Sequence, residues 1–275
     1  WFAGLSVFEA LLHAMSTMAT GGFSTRATSI ASFDSPLVEW IIILFMYLAG
    51  VNFALHYAAL GGRFNVFVRN GEWRVYTVAL FGCSLVITAL LLPEMGGDLE
   101  TALRKASFQV LALGTGTGFG TADYDAWPVL AKVILMGLMI MGGSAGSTAG
   151  GMKVSRVMVL IKCAVIELAH TVRPHTVRVV KIGRSAVRDD VLKQIMAFAV
   201  LFFCTIGVCT LWLAALDVDL ATAFAAALTC VANVGPGFAE VGPTLHFANI
   251  PASGKLILSL GMILGRLEFF TVLAL

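Results

Sequence analysis

The sequence predicts an all-α membrane protein built from a repeated unit, in which a short helix, a glycine turn and a long helix follow one another. Three observations predict it. The first is composition: of 275 residues, 59% are hydrophobic and 12% charged, with a mean hydropathy of +0.91. Soluble domains carry about 45–50% apolar and about 25% charged residues. This chain has too few charges to cover a soluble globule, and too much apolar surface to stay disordered. The second is the length of its apolar runs, and the third is an internal repeat.

A helix needs about 20 mostly apolar residues to cross about 30 Å of hydrocarbon. Trp40–Leu60 meets this, with Asn52 and His56 as its strongly polar members. Val75–Leu92 meets it and stops at Pro93. Trp127–Met141 runs into small residues, Gly142–Gly151, before Met152–Ala169 continues. Leu192–Leu216 and Leu256–Leu275 complete the long runs, the last containing Arg266 and Glu268. Leu5–Ala19, Leu99–Leu113 and Leu220–Ala232 are apolar but reach only about 20 Å as helices. Each precedes a glycine-rich stretch that interrupts a helix. The start, Trp1–Ala19, lacks the basic opening of a signal peptide and carries Glu9 and His13. With no initiator Met and an apolar end, the chain reads as an internal piece of a longer protein. Five cysteines without CxxC spacing read as small buried hydrophobes.

Charge sets the orientation. Segments 61–74 and 153–193 together carry a net +8 and are cytoplasmic, while the remainder carries −6. The outer acids, among them Asp34, Glu39, Asp98, Glu100, Asp125, Asp219 and Glu240, flank the short helices. They form a solvated rim and, compatibly with it, an acidic mouth for cations. A net charge of +2 points to no nucleic acid.

The repeat is anchored on Gly22, Gly118 and Gly235, which lie 96 and 117 residues apart. The turns read Thr20-Gly21-Gly22-Phe23, Gly116-Thr117-Gly118-Phe119 and Asn233-Val234-Gly235-Pro236. Each is followed by an outer loop with a proline (Pro36, Pro128, Pro251) and a span with an internal glycine (Gly50, Gly143, Gly265). Irregular backbone at membrane depth persists only where it is buried in protein or lines water. Carbonyls aimed at an axis form a ring of hard oxygen ligands that replaces the hydration shell of an alkali cation. Each short helix also turns its C-terminus, the negative end of its dipole, toward the membrane centre.

These motifs resemble the Trk/Ktr/HKT superfamily of potassium transporters, most closely its bacterial TrkH/TrkG type, nearly end to end. His13–Thr25 resembles the family's second pore loop, Gly114–Gly120 the third, and Ala232–Gly237 with Gly265–Glu268 the fourth and its following helix. Gly142–Lys153 resembles its intramembrane gating loop. The resemblance implies four helix–pore-loop–helix units around a pseudo-fourfold pore, of which three pore loops are present here. These occupy residues 1–60, 61–191 (with the cytoplasmic link and gating loop) and 192–275. It implies potassium as substrate with no cofactor, a homodimer, a cytoplasmic nucleotide-binding regulatory subunit of the TrkA/KtrA type, and the bacterial inner membrane. Carried over residue by residue, the potassium filter comprises Thr20, Gly21 and Gly22; Gly116, Thr117 and Gly118; and Asn233, Val234 and Gly235. Ala19, Thr115 and Ala232 precede them with a further carbonyl layer.

The gate candidates are Gly142, Gly143, Gly146, Ser147, Thr148, Gly150, Gly151 and Arg266. As a phosphate loop the stretch fails, because Met152 stands where a lysine is required. As a continuous helix it loses about 1 kcal/mol per glycine, which favours a broken helix whose loop crosses the pore. Arg266 is two residues from Glu268, too close in sequence to face it on a helix, and is expected to reach the loop or the pore axis. Lys153 is expected to snorkel to the inner interface. Asn52 and His56 read as packing groups, and His13 as internally hydrogen-bonded. The basic stretch Arg173–Arg188 faces water, anionic lipid or a regulatory partner. An intramembrane enzyme using Ser147, Thr148 or His56 is the rival class, and it leaves the triple repeat unexplained. A sodium-permeable or sodium-coupled relative is the rival within transport. Channel-like conduction and symport both remain open at this point.

Overall fold

The computed structural model describes residues 1–172, 181–182 and 185–267. The helices run in the order α1 (Val7–Met18), α2 (Pro36–Ala49), α3 (Phe53–Leu60), α4 (Asn65–Arg69), α5 (Gly71–Leu91), α6 (Leu99–Gly114), α7 (Val129–Met141), α8 (Val154–Val172), α9 (Asp189–Ala214), α10 (Leu220–Ala232) and α11 (Ala252–Arg266). One two-residue antiparallel ladder, Lys181–Ile182 with Ser185–Ala186, lies in the cytoplasmic link. Among the described residues everything else regular is helical, so the all-α membrane fold holds.

The three short helices share one design. Each starts at the outer side on a side-chain cap: Ser6 accepts from the Glu9 amide, Asp98 from Glu100 and Thr101, and Asp219 from Ala221 and Thr222. Two acids of the outer rim, Asp98 and Asp219, are thus helix caps. The Thr101 hydroxyl donates to Asp98 at 2.6 Å and, with the capped amides, holds that carboxyl below its usual range. With 12, 16 and 13 residues, the three reach about 18 to 24 Å and stop inside the hydrocarbon. α6 and α10 form the buried centre, with Phe108, Val110, Ala112, Leu113, Ala226 and Ala232 fully enclosed. α6 packs on α2, α5 and α7, and α10 on α9 and α11.

Among the described residues, two helices are long and apolar enough to cross a membrane, α5 and α9. The expected straight span Trp40–Leu60 is corrected: α2 and α3 meet at 98°. The break has a local cause. Asn52 accepts from the Ala54 amide at 2.8 Å and starts a new helix. Gly50 lies so close to Tyr76 that a Cβ there would sit 2.2 Å from the tyrosine hydroxyl. α5 starts four residues before the expected Val75 because Asn70 caps it at the Trp73 amide.

Charge is buried in one place on the outer side. Glu39 of α2 meets Arg104 of α6 at 2.6 Å, and Arg104 also reaches Glu100 at 3.0 Å. The acidic mouth is reduced accordingly, since Glu9 pairs with Arg26 and Asp125 with Lys132 as well. All five thiols are free; Cys209 and Cys230 are buried, whereas Cys204 is exposed. Glu268, the last eight residues of the final apolar run, and Arg173, His175, Arg178 and Arg184 lie outside the described residues.

Candidate functional site

The three glycine turns come together. Each leaves its short helix by folding amides back onto that helix. Gly21 N donates to Ser16 O at 2.8 Å, Gly118 N to Ala112 O at 2.9 Å, and Val234 N to Thr229 O at 3.0 Å. The carbonyls are treated differently. Among the described residues, no hydrogen bond ends on the carbonyls of Gly21, Gly22, Gly116, Thr117, Gly118, Asn233, Val234 or Gly235. The turns therefore spend their donors on the helix and keep their oxygens.

Left-handed backbone makes this possible. Thr20, Gly22, Gly116, Gly118, Asn233 and Gly235 all have positive φ, between 49° and 109°. Neighbouring turns also touch at matched positions. A Cβ on Gly22 would lie 2.0 Å from Thr117 O, and one on Gly118 would lie 2.1 Å from Val234 O. In both cases the anchor glycine of one copy meets the carbonyl just before the anchor of the next. Gly235, the third anchor, has open space there. Thr115 and Thr117 are fully buried and join hydroxyls at 2.7 Å. Asn233 ties its turn to α11 by donating to Met262 O at 3.1 Å.

Residues 142–151 break the α7–α8 run and cross beneath all three turns. At the first turn, the Thr148 hydroxyl donates to Met18 O at 3.0 Å, and the Thr20 hydroxyl donates to Thr148 O at 2.8 Å. At the second, a Cβ on Gly116 would lie 3.2 Å from Gly150 N. At the third, Gly151 N donates to Ala232 O at 3.0 Å. Gly142 sits against Gly150 O, where a Cβ would be 2.3 Å away. Gly143 carries the return of the chain, its carbonyl accepting from Val154 N at 2.9 Å. Gly146 O accepts from Phe53 N at 3.0 Å, and Ser147 closes a small turn onto Ser144 O at 2.6 Å. Arg266, at the end of α11, donates to Thr148 O at 3.1 Å. A cavity of about 250 Å³ opens below the loop, lined by Thr148, Gly150, Lys153, Arg156, Gly265 and Arg266.

Several placements differ from expectation. Lys153 turns back and hydrogen-bonds Ala149 O rather than extending to the interface. Its φ of 77° returns the chain sharply into α8 and brings the ammonium under the loop. Asn52 is a cap lying against Gly146, and His56 Nε2 contacts Leu48 O at 3.0 Å. His13, by contrast, is bonded internally as expected, to Glu9 O and Ser24 Oγ. Glu72 was not singled out by sequence. It is buried in the first turn of α5, and its Oε1 accepts from Ala145 N at 2.7 Å and Ser155 N at 3.2 Å. One carboxylate oxygen thus ties the start of the loop to the start of α8. The one signal was an isolated acid in a stretch of arginines.

Comparison with known proteins agrees with this arrangement. The sequence profile of the TrkH family, described as a cation transport protein, matches residues 2–91 and 96–275. The chain belongs to the TrkH family. Among its TrkH relatives, the potassium uptake protein TrkH of Salmonella typhimurium is 36% identical over 277 residues. That match covers 100% of this chain and 57% of the relative. The potassium uptake protein TrkG of Escherichia coli is 31% identical, over 99% of this chain and 56% of its own length. The crystal structure of the potassium transporter TrkH from Vibrio parahaemolyticus superimposes with a TM-score of 0.93 at 35% identity. It is covered to 59% by the whole of this chain. This TrkH-family chain thus spans a little over half the length of the relatives it matches.

Proposed function

We propose that this chain forms most of a potassium uptake pore, with a backbone-carbonyl filter above and the Gly142–Gly151 loop as its gate. The observation that carries the reading is the loop's contact with all three turns at once, through Thr148, Gly150 and Gly151. A segment in that position stands across any path that runs between the turns. The filter oxygens come from Thr20–Gly22, Thr115–Gly118 and Asn233–Gly235, while Ala19 O and Ala232 O, the further layer, accept from Thr20 Oγ1 and Gly151 N. They are hard, uncharged ligands in a low-dielectric surround, the chemistry that takes a dehydrated alkali cation. The stepwise contact Gly22 to Thr117 and Gly118 to Val234 sets the three turns side by side in chain order, and Gly235 leaves room for a further turn.

The units 1–60, 61–191 and 192–275 each contribute one strand of this filter. Potassium is the substrate and no cofactor takes part. The transporter works as a homodimer in the bacterial inner membrane, with a nucleotide-binding regulatory subunit docking on the basic cytoplasmic link. An enzyme has little support. Ser147 Oγ is engaged with Ser144 O, Thr148 Oγ1 with main-chain oxygens, and His56 with Leu48 O. The test is potassium-dependent growth of a strain lacking its own uptake systems, supplied with the whole transporter. Growth rescue is expected, and deleting residues 143–149 should raise the basal potassium flux of the folded protein. Equal rescue by sodium, or unchanged flux in the deletion, would count against the filter and the gate respectively.

A further inference from the structure

The connection between α2 and α5 has the features of a lipid contact. α3 leaves α2 at 98°, so with α2 set across the bilayer α3 lies close to the membrane plane. Its start is fixed in depth by Gly50, which packs on Tyr76, five residues into α5. At 1.5 Å per residue that is about 8 Å from the helix end. Interfacial helices seat their apolar face about 5–10 Å into the boundary between headgroups and chains. α3 has no buried residue. Phe53, Tyr57 and Leu60 are exposed on one face of α3, Leu60 to 89%, and Phe64 and Val68 are exposed at the start of α4 and within it.

Charge completes the pattern. A groove of about 460 Å³ at the start of α4 is lined by Arg63, Asn65 and Arg69, and Arg74, at the start of α5, is exposed as well. Glu72, the one acid in residues 61–74, is turned inward onto the loop. The elbow thus presents guanidinium groups beside an apolar stripe at interfacial depth. We propose that the α3–α4 elbow is a docking surface for an anionic phospholipid of the inner leaflet, with Arg63 and Arg69 on the headgroup phosphate and the exposed stripe among the acyl chains. Guanidinium suits a phosphate because its donors form a planar fork.

The elbow also grips the loop at both ends. Phe53 N holds Gly146 O at 3.0 Å at its start, and Glu72 holds Ala145 N at 2.7 Å just beyond its end. A lipid that steadies the elbow therefore steadies two adjacent loop residues. This consequence rests on the gating reading, whereas the docking itself does not.

The test uses the whole transporter in detergent, with retention of added phosphatidylglycerol and phosphatidylcholine measured by native mass spectrometry. Phosphatidylglycerol should be retained preferentially. The double variant Arg63→Gln/Arg69→Gln should weaken that retention about thirtyfold. Arg63→Lys/Arg69→Lys should keep most of it, and Arg188→Gln, at an exposed cation paired with Asp190, should leave it unchanged. Equal retention of the two lipids overturns the proposal, as does equal loss in Arg188→Gln. Displacement by inorganic phosphate alone would mark a free-anion site, and retention unaffected by the double Gln variant would place the lipid elsewhere on the protein; either overturns it. In vesicles, basal potassium flux should be lower with about one phosphatidylglycerol in four lipids than in pure phosphatidylcholine, and the double Gln variant should not distinguish them. If retention behaves as expected but flux does not, the docking stands and the gating link falls.

Discussion

Arg266 and Thr20 converge on one oxygen: the guanidinium donates to Thr148 O at 3.1 Å and the threonine hydroxyl at 2.8 Å. The middle of the loop is thereby held between the first glycine turn and the last helix. Arg266 can be placed there because Gly265 lets α11 approach α10, where a Cβ would lie 1.9 Å from Val231 O.

Loss of the Arg266 charge should open the pore. A unit charge about 6 Å from a cation, at an effective dielectric of about 20, raises its energy by roughly 3 kcal/mol. That is roughly a hundredfold in rate. Arg266→Gln should raise potassium flux toward that limit, and Arg266→Lys should change it least. Flux per folded transporter is the measurement, since a purely structural arginine would lower the amount of folded protein without raising flux per folded molecule.

Glu72 should control the loop from its other end. Hydrogen bonds to a charged group contribute about 1.5–3 kcal/mol each. Glu72→Ala removes the acceptor of Ala145 N and Ser155 N together. Hydrogen exchange at those two amides should accelerate at least tenfold, with a rise in basal flux, while Glu72→Gln, which keeps an acceptor oxygen, should fall between. Exchange unchanged in Glu72→Ala would show that the loop is held without it.

The difference between Arg266 and Glu72 shows what the sequence makes legible. Arg266 interrupts an apolar run, where a charge is costly and so conspicuous. Glu72 sits among cytoplasmic arginines, where an acid is unremarkable, and its partner Ala145 is 73 residues away. The glycine turns were readable because the positive-φ backbone that keeps their carbonyls unspent demands residues that stand out in a membrane sequence. The bend at Gly50 was not, because hydropathy through Trp40–Leu60 is uniform: Asn52 reads equally as a packing group until the Gly50–Tyr76 contact fixes where α2 stops. The ion pairs are illegible in the sequence for a similar reason. The outer acids were visible as a group, but that Glu39 meets Arg104 depends on how α2 packs on α6.

The Glu39–Arg104 contact should be costly to break and cheap to replace. Both side chains are buried at 2.6 Å separation. Removing one partner leaves a buried charge, at a cost of about 3–5 kcal/mol. Glu100 still holds Arg104 at 3.0 Å, so Glu39→Ala should fall at the lower end of that range. The double variant Glu39→Met/Arg104→Met should recover most of the loss. Thermal unfolding in detergent checks both, and a double variant no more stable than Glu39→Ala would contradict the assignment.

The sharpest contrast lies between two glycines of equivalent position. At Gly118, an added Cβ would lie 2.1 Å from Val234 O, so Gly118→Ala must push two turns apart. At Gly235, nothing lies within 4 Å, and Gly235→Ala meets only the backbone penalty of a φ near 109°, of order 1–3 kcal/mol. In this 275-residue chain, Gly118→Ala should therefore lower the unfolding temperature more than Gly235→Ala. In the whole transporter a fourth turn would stand beside Gly235, where the stepwise contacts place the next carbonyl. The two substitutions should then converge, both lowering stability and both reducing potassium selectivity over sodium. The comparison needs four unfolding curves and two permeability ratios. If Gly235→Ala stays milder than Gly118→Ala in the whole transporter, the ring does not close beside Gly235, and the fourfold filter is wrong.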